Sequence, residues 1–396
     1  MDRDCNGQTC RERLSTTSSN KKDDLYNDST LCAYLWNADI LAAVQGCKKM
    51  FFAPDGYLHC LAIEYMPPEG KDTIAQGLRL YRLTSTRQLI SRKAQNTKGK
   101  GMTAPVQAAL LIGGVRYDGE ADNEADRRIA VIQADNDTIA HHFMRNLGGR
   151  FQYLDGTKTE IDSIYATRRC TADTLLIGHD ATESMFRRLC SAYPIVSIAT
   201  HGYFNAAETS IGTDLKPCYN DESLSQSIIA LAGCNTSLSD GQADNPNEYD
   251  GLLSARELSR CDMSQTRLAI ISACQTGLGY ITADGVYGIQ RGLKNAGVQS
   301  MIVSLWNVND EATSLLMTAF HRNLSRGMTT ADAFRAARQT LADTAGATTD
   351  SSTTTTPELR FNTARLVNEE VSTDQAMADY SSPRYTNAFI LIDALE

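Results

Sequence analysis

Two residues of this sequence, Cys274 and His201, have the side chains of a thiol nucleophile and its base, and each follows an apolar run. LAII at 268–271 leads to Cys274, and PIVSIAT at 194–200 leads to His201. Such runs are typical of central strands in an α/β sheet, whose carboxyl ends carry functional groups. A thiol is weakly ionised at neutral pH and needs a neighbouring imidazole or a lowered pKa to attack a carbonyl. The sequence therefore predicts a Cys–His pair at adjacent strand ends.

Each of these residues, taken alone, has a plainer interpretation. An isolated Cys274 would be an inert core cysteine, because free cysteine is among the most buried residue types and this chain has eleven cysteines. An isolated His201 would equally be a hydrogen-bonded core histidine. The pairing of the two strand ends is what favours chemistry. Glycines at 277, 279 and 285 follow Cys274 and lower the steric cost of a sharp turn before the next predicted helix.

The composition argues against several classes of protein. The 396 residues carry 38 basic and 47 acidic side chains, a net charge of −9, and no long basic run, so we expect no nucleic-acid partner. The odd number of cysteines lacks CxxC pairs and zinc-ligand spacing, so we expect no metal, no cofactor and a reduced, cytoplasmic compartment. No apolar stretch of about 18 residues occurs, so we expect no membrane association.

Hydrophobic periodicity predicts the elements that position the pair. Strand patterns alternate with helical patterns, which predicts one α/β unit with a mainly parallel sheet and helices on both faces. Buried strands are predicted at 108–114, 194–199, 227–232, 268–271, 300–305 and 389–392. Segments 48–53 and 57–63 flank Pro54-Asp55-Gly56, a turn signal that predicts a β-hairpin. His59 alternates with apolar neighbours there and is expected to be structural.

Polar segments interrupt these elements. Residues 1–30 lack periodicity and are rich in Asp, Asn, Ser and Lys, which predicts a flexible N-terminal arm or the cut end of something longer. Residues 343–357 are interpreted as a Thr/Ser-rich, low-complexity insertion. The segments 205–225 and 233–250 adjoin both chemical strand ends, and they are interpreted either as substrate-gating loops or as plain surface loops.

A series of blocks along the chain resembles one known family. The blocks are FFAPDGYLHCLAIEYMP from Phe51, LLIGGVRY from Leu110, SIATHGYF from Ser197, SIIALAG from Ser227, DGLLSAREL from Asp250, LAIISACQTGLG from Leu268, DGVYGIQRGLKNAG from Asp284, SMIVSLWNVNDEAT from Ser300 and YTNAFILID from Tyr385. Their combination in this order is specific in a way that no single block is, and it spans residues 45–394. The sequence resembles the CHAT family, a caspase-like group of cysteine peptidases similar to separases.

This resemblance implies a fold and a set of site residues. It implies a caspase-like sheet in which residues 31–150 form a degenerate companion half, packed beside a catalytic half at 151–396. It also implies that Cys274 is the nucleophile and His201 the general acid and base. The backbone N–H groups of Gly202 and Cys274 would then stabilise the oxyanion of a tetrahedral intermediate. No third acid is identified, and a thiol needs less activation than a hydroxyl.

The function implied by the resemblance is that of a cysteine endopeptidase. Its substrate would be a protein or peptide, and a regulatory partner protein or proteolytic processing would activate it. The alternative is a catalytically silent CHAT module that acts as a scaffold or binds proteins, because a fold does not dictate a function. The intact Cys274 and His201 favour the peptidase.

The sequence also suggests how a substrate would be selected. In some caspase-like peptidases an acid two positions before the catalytic cysteine receives a basic P1 side chain, but here that position is Ser272. The LWNVND block resembles separases, and this resemblance makes Asp310 the candidate acid for a basic P1 side chain, which a carboxylate would bind through charge-assisted hydrogen bonds. The alternative is that Asp310 only caps its helix and that the P1 pocket is apolar or undemanding.

Overall fold

The computed structural model describes residues 23, 25–66, 77–90, 107–119, 150–204, 222–239, 249–274, 276–282, 285–307, 309–344 and 379–395. Three of the sequence segments interpreted above lie wholly or mostly outside these ranges: the arm at 1–30, the loop at 205–225 and the insertion at 343–357. The strands and helices below belong to the described ranges.

Most strands of the described ranges belong to one large sheet. In chain order the strands are Lys49–Phe52 (β1), Arg79–Arg82 (β2), Ala109–Val115 (β3), Thr174–Gly178 (β4), Ile195–Ala199 (β5), Gly202–Phe204 (β6), Ser227–Ala230 (β7), Leu252–Ser254 (β8), Leu268–Ser272 (β9), Gly279–Thr282 (β10), Gly285–Gly288 (β11), Ser300–Ser304 (β12) and Phe389–Ile392 (β13). Eight of them form a sheet with the order β1-β2-β13-β12-β9-β5-β3-β4.

The large sheet is mainly parallel. Strands β12, β9, β5, β3 and β4 are parallel neighbours, and β13 pairs antiparallel with β12 and so reverses the direction of the remaining strands. Every residue of β3, β5, β9 and β12 is buried. Because both faces of the sheet are covered, these strands are mostly apolar along their whole length and do not alternate between apolar and polar residues.

Helices surround the sheet. They are Ser29–Leu35 (α1), Ala38–Val44 (α2), Asp155–Arg168 (α3), Glu183–Leu189 (α4), Glu222–Ser225 (α5), Cys234–Ser239 (α6), Ala255–Leu258 (α7), Ile289–Asn295 (α8), Asp310–Ser325 (α9), Thr330–Ala342 (α10) and Pro383–Thr386 (α11). Helix α9 packs against α3 and α10, and α7 packs against α5 and α8. The predicted α/β class, a mainly parallel sheet with helices around it, is confirmed.

Two small antiparallel sheets lie beside the large one. Strands β6, β7 and β8 form one of them, so the apolar run predicted at 227–232 is a strand of this small sheet. Strands β10 and β11 form the other, directly after Cys274. Since β6 begins at Gly202, the chain leaves β5, passes through His201 and enters the small sheet at once.

The hairpin predicted around Pro54-Asp55-Gly56 is wrong. Strand β1 pairs in parallel with β2, and residues Gly56–Cys60 form a 3-10 helix in place of a returning strand. The Asp55 side chain accepts a hydrogen bond from the Gly56 amide and caps this helix, so the turn residues serve as a cap. His59 is buried within this helix, and burial lowers its pKa to about 4.

Strands from before and after residue 150 share the large sheet. Strand β3 lies between β5 and β4, and β2 lies beside β13. Side chains of β3 contribute to the main hydrophobic core, whereas Tyr81 of β2 belongs to a smaller cluster with Ala331 and Ala394. The division into a companion half at 31–150 and a catalytic half at 151–396 stays a prediction, and residues 120–149 next to its boundary are not described.

Candidate active site

The carboxyl ends of β5 and β9 lie side by side. Ala199 pairs with Ser272 in the register of the two strands, and the Thr200 amide donates a hydrogen bond of 3.2 Å to the Ser272 carbonyl. His201 and Cys274 each follow their paired residue by two positions. The two chemical side chains therefore leave the same edge of the sheet from neighbouring strands.

Gly202 brings the two segments into close contact. A Cβ atom placed on Gly202 would lie 2.7 Å from the Cys274 carbonyl oxygen and 2.9 Å from Cγ2 of Thr276. Such distances are shorter than van der Waals contact, so any other residue would push the two segments apart. Close packing therefore explains why a glycine follows His201. Its backbone lies against that of the candidate nucleophile.

His201 is held by two rings and one carbonyl. Its ring centroid is 5.1 Å from those of Tyr117 and Phe151, and Nε2 hydrogen-bonds to the Gln152 carbonyl oxygen at 2.7 Å. A carbonyl only accepts, so this bond keeps a proton on Nε2 and leaves Nδ1 as the proton acceptor of the neutral ring. Burial lowers the pKa of His201, while the Gln152 carbonyl and Asp310 oppose that shift. The imidazole is accordingly a neutral base near pH 7.

Cys274 is half-buried and protonated at rest. Burial raises the pKa of its thiol, and the negative charge of Asp310 raises it further. Neither effect stabilises a resting thiolate, so ionisation of Cys274 needs a base that takes its proton. His201 at the neighbouring strand end is a residue of the required type.

Asp310 is the first residue of α9 and is exposed. The helix is capped by Asn309, whose side-chain oxygen accepts hydrogen bonds of 3.0 Å from the amides of Glu311 and Ala312. The capping role considered for Asp310 therefore belongs to the residue before it. Partial loss of hydration raises the pKa of Asp310, and His201 opposes the shift. Asp310 acts electrostatically on both His201 and Cys274.

A small open pocket of about 40 Å³ lies beside Cys274, between the starts of α3 and α9. Asp310 lines it, together with hydroxyl groups from the strand ends and apolar rings. A Cβ atom on Gly156 at the start of α3 would overlap with the Asp310 side chain, so glycine is what allows the two helices to approach here. Cys274 and Asp310, both singled out by the sequence, thus line one pocket.

The sequence interpretation missed Glu160, which also lines this pocket. Glu160 lies on α3, is 2% exposed and accepts a hydrogen bond of 3.0 Å from the Ser272 hydroxyl. Burial raises its pKa to about 8, the hydrogen bond from Ser272 opposes the shift, and Asp310 adds to it. Its signal in the sequence is an acid on the apolar face of a helix, next to Ile161 and one turn before Ile164.

The sequence interpretation also missed Gln152, the hydrogen-bond partner of His201. The sequence carried no signal for this contact, because every residue type has a backbone carbonyl.

Neither a metal-binding cluster nor a membrane-spanning helix occurs in the described part of the chain. No group of three or more His, Cys, Asp or Glu side chains among them is arranged to hold a metal ion. Within the same ranges, no helix has the length and apolar character needed to cross a membrane.

Comparison with known proteins identifies the family of this chain. The chain is 33% identical over 86 residues to tetratricopeptide repeat protein 28 of Mus musculus, a match that covers 22% of this chain and 4% of that protein. It is 26% identical over 159 residues to tetratricopeptide repeat protein 28 of Homo sapiens, which covers 39% of this chain and 6% of that protein. The matches thus cover only a small part of both relatives. A family model, the CHAT domain, matches residues 29–392, nearly the whole chain. This chain therefore belongs to the CHAT domain family.

Proposed function

We propose that this CHAT domain is a cysteine endopeptidase in which Cys274 attacks a peptide carbonyl. The proton of the Cys274 thiol passes to Nδ1 of His201 as the sulfur–carbon bond forms. The backbone N–H groups of Gly202 and Cys274 stabilise the oxyanion of the tetrahedral intermediate. His201 then protonates the leaving amine as the carbon–nitrogen bond breaks. A water molecule, deprotonated by His201, hydrolyses the thioester and restores the thiol.

The observation that carries this proposal is the approach of Gly202 to Cys274. It aligns the segment after His201 with the thiol-bearing turn at one edge of the sheet. The hydrogen bond from His201 to Gln152 adds to this support, because it leaves Nδ1 of the neutral ring available as the base. The raised pKa of Cys274 is compatible with this mechanism, since a paired imidazole ionises the thiol during the attack rather than before it.

A basic P1 side chain fits the proposed peptidase. Asp310 lines the pocket beside Cys274, and Asn309 already caps α9, so the Asp310 carboxylate is not required as a cap. A carboxylate at this position would pair with a guanidinium or an ammonium group.

Activation by a partner protein draws support from the names of both relatives, which contain tetratricopeptide repeats. Such helical repeats stack into extended binding surfaces.

The second candidate function is a silent scaffold or protein-binding module. The observation that favours it is the raised pKa of Cys274, because burial and the negative charge of Asp310 both disfavour a thiolate. In such a module the pocket would hold a peptide without cleaving it. Covalent labelling of the thiol separates this function from that of a peptidase.

The test is labelling and cleavage with single substitutions. A thiol-reactive peptidyl probe should label the wild-type protein, and labelling should be lost in Cys274→Ala and strongly reduced in His201→Ala. Cleavage of a peptide library should fall by several orders of magnitude in both variants, as in other catalytic units. Cys47→Ala is the matched control, because Cys47 is an exposed, free cysteine before β1, which is separated from β9 by three strands of the large sheet. Unchanged turnover in Cys274→Ala would remove this thiol from the mechanism.

A further inference from the structure

The carboxyl group of Glu160 lies under the pocket beside Cys274 with part of its hydrogen-bonding capacity unused. Oε2 accepts a hydrogen bond of 3.0 Å from the Ser272 hydroxyl. Oε1 is buried and has no hydrogen-bond partner among the described residues. Buried polar atoms are nearly always paired, since an unpaired acceptor keeps the cost of leaving water without compensation. An unpaired buried acceptor on a residue that lines a pocket therefore points to a ligand.

The pocket around Glu160 suits a cation. Asp310 contributes a second carboxyl group from the start of α9. Among the described residues that line the pocket, none is a lysine, arginine or histidine. Trp306 and Phe389 add apolar surface along which the stem of a long side chain can pack. The pocket thus combines two acids, hydroxyl groups and an apolar wall next to the thiol.

We infer that Glu160 is a specificity-determining residue, which lies at the floor of the P1 pocket and, together with Asp310, binds the guanidinium group of a P1 arginine. This inference rests on the proposed peptidase function. It extends that function by a residue on α3 and by a choice between arginine and the other P1 side chains. Ser272 orients Glu160 by its hydrogen bond, in place of the acid that some caspase-like peptidases carry two positions before the cysteine.

Arginine fits this pair of acids better than lysine or an apolar residue. A guanidinium presents five N–H donors in a rigid fork and can serve two carboxyl groups, whereas an ammonium group is a compact point charge. A leucine at P1 would leave Oε1 of Glu160 without a partner. We therefore expect the order Arg, then Lys, then Leu in the rate of cleavage.

The protonation of Glu160 links this selectivity to pH. Burial raises its pKa to about 8, so the empty pocket holds a neutral carboxyl group near pH 7. An entering guanidinium favours the carboxylate, and the proton of Glu160 leaves to the solvent. Among the described lining residues, the other titratable groups are Asp310 on α9 and Cys274 after β9, while those from β5, β12 and β13 and their ends do not titrate. Arginine binding should therefore strengthen as pH rises toward 8.

The test compares P1 arginine, lysine and leucine peptides in wild type and Glu160→Gln. Glutamine has nearly the same shape as the neutral acid and keeps an acceptor for the Ser272 hydroxyl, so the fold should persist. We expect the Arg-to-Leu ratio of kcat/KM to fall about 10-fold to 100-fold, the scale of one hydrogen bond to a charged group, mainly through KM. Asp162→Asn, on the exposed part of the same helix, should leave the ratio unchanged.

A second readout is the pH dependence of KM. In wild type, KM for the arginine peptide should fall as pH rises from 6 toward 8, while KM for the leucine peptide should follow no such trend. Glu160→Gln should abolish the trend. An arginine preference that survives Glu160→Gln, or a wild-type KM for arginine that does not change with pH, overturns the role of Glu160 and leaves the peptidase intact. Failure of every P1 peptide and of the peptidyl probe would instead overturn the peptidase, and this inference with it.

Discussion

The candidate catalytic residues depend on neighbours whose side chains do no chemistry. The Gln152 carbonyl sets the tautomer of His201, and the rings of Tyr117 and Phe151 hold its plane. Gly202 contributes only the absence of a side chain, which lets its backbone lie against Cys274. Displacing any of these contacts should harm catalysis without removing a reactive group.

Gly202→Ala tests this dependence. The added Cβ would lie 2.7 Å from the Cys274 carbonyl oxygen, so the two segments must separate by some tenths of an ångström or more. We expect kcat/KM to fall about 100-fold, because a displacement of about 1 Å in an active site costs that much. Peptide cleavage and the thermal midpoint should be measured together. Gly77→Ala is the control, since a Cβ there would meet nothing within 4 Å. Full activity in Gly202→Ala would show that the close approach is not needed for turnover.

The first turns of helices α3 and α9 form walls of the pocket beside Cys274. The two helices pack against each other, and both begin beside Cys274. Gly156 allows the approach of their first turns, while α3 carries Glu160 and α9 carries Asp310. The position of each acid therefore depends on how its helix begins.

Asn309→Ala should loosen the start of α9. Its side chain caps the amides of Glu311 and Ala312, and losing such a cap costs about 1 kcal/mol of unfolding free energy. Because Asp310 is the next residue, cleavage after arginine should weaken more than cleavage after leucine. Thr329→Ala, which removes the corresponding cap of α10, should cost similar stability without changing the Arg-to-Leu ratio. Urea unfolding and peptide assays measure the two effects, and equal ratios in both variants would contradict the prediction.

The large sheet makes the molecule one packed unit around the site. Its central strands come from 109–115, 195–199, 268–272 and 300–304, segments that are far apart along the chain. Arg168 and Asp173 form a buried ion pair between the end of α3 and the start of β4, with 2.7 Å between Nε and Oδ2. Pairing between segments that are distant in the chain protects the strands themselves from local opening.

Limited proteolysis should therefore cut outside this core. The polar composition of 205–250 and of the tract at 343–357 predicts the first cleavages there, where few apolar residues can be buried. Mass mapping of early fragments identifies the sites, and comparison of the Cys274→Ala variant separates added protease from self-cleavage. First cuts between residues 268 and 305 would contradict the prediction, since β9 and β12 are fully buried there.

The amino-acid sequence alone was sufficient to predict the central strands and to place His201 and Cys274 just after their carboxyl ends. A continuous apolar run that ends in a few small or polar residues is a local pattern. It is enough to predict a strand that is buried on both faces. The same local reasoning failed at Asp55, where the turn signal predicted a hairpin. Strand β1 pairs instead with residues 79–82, and Asp55 caps a 3-10 helix. Helix α9 is likewise capped by Asn309, one position before Asp310, which the sequence had suggested as the cap.

Only the tertiary structure decided the chemistry around the two residues. Gln152 holds His201 through a backbone carbonyl, a group that every residue has, so its side chain carried no signal. Glu160 is distinctive only because α3 packs under Ser272, which removes its carboxyl group from water and raises its pKa to about 8. Burial and hydrogen bonding between elements distant in the chain arise from packing, and periodicity within one segment does not encode them.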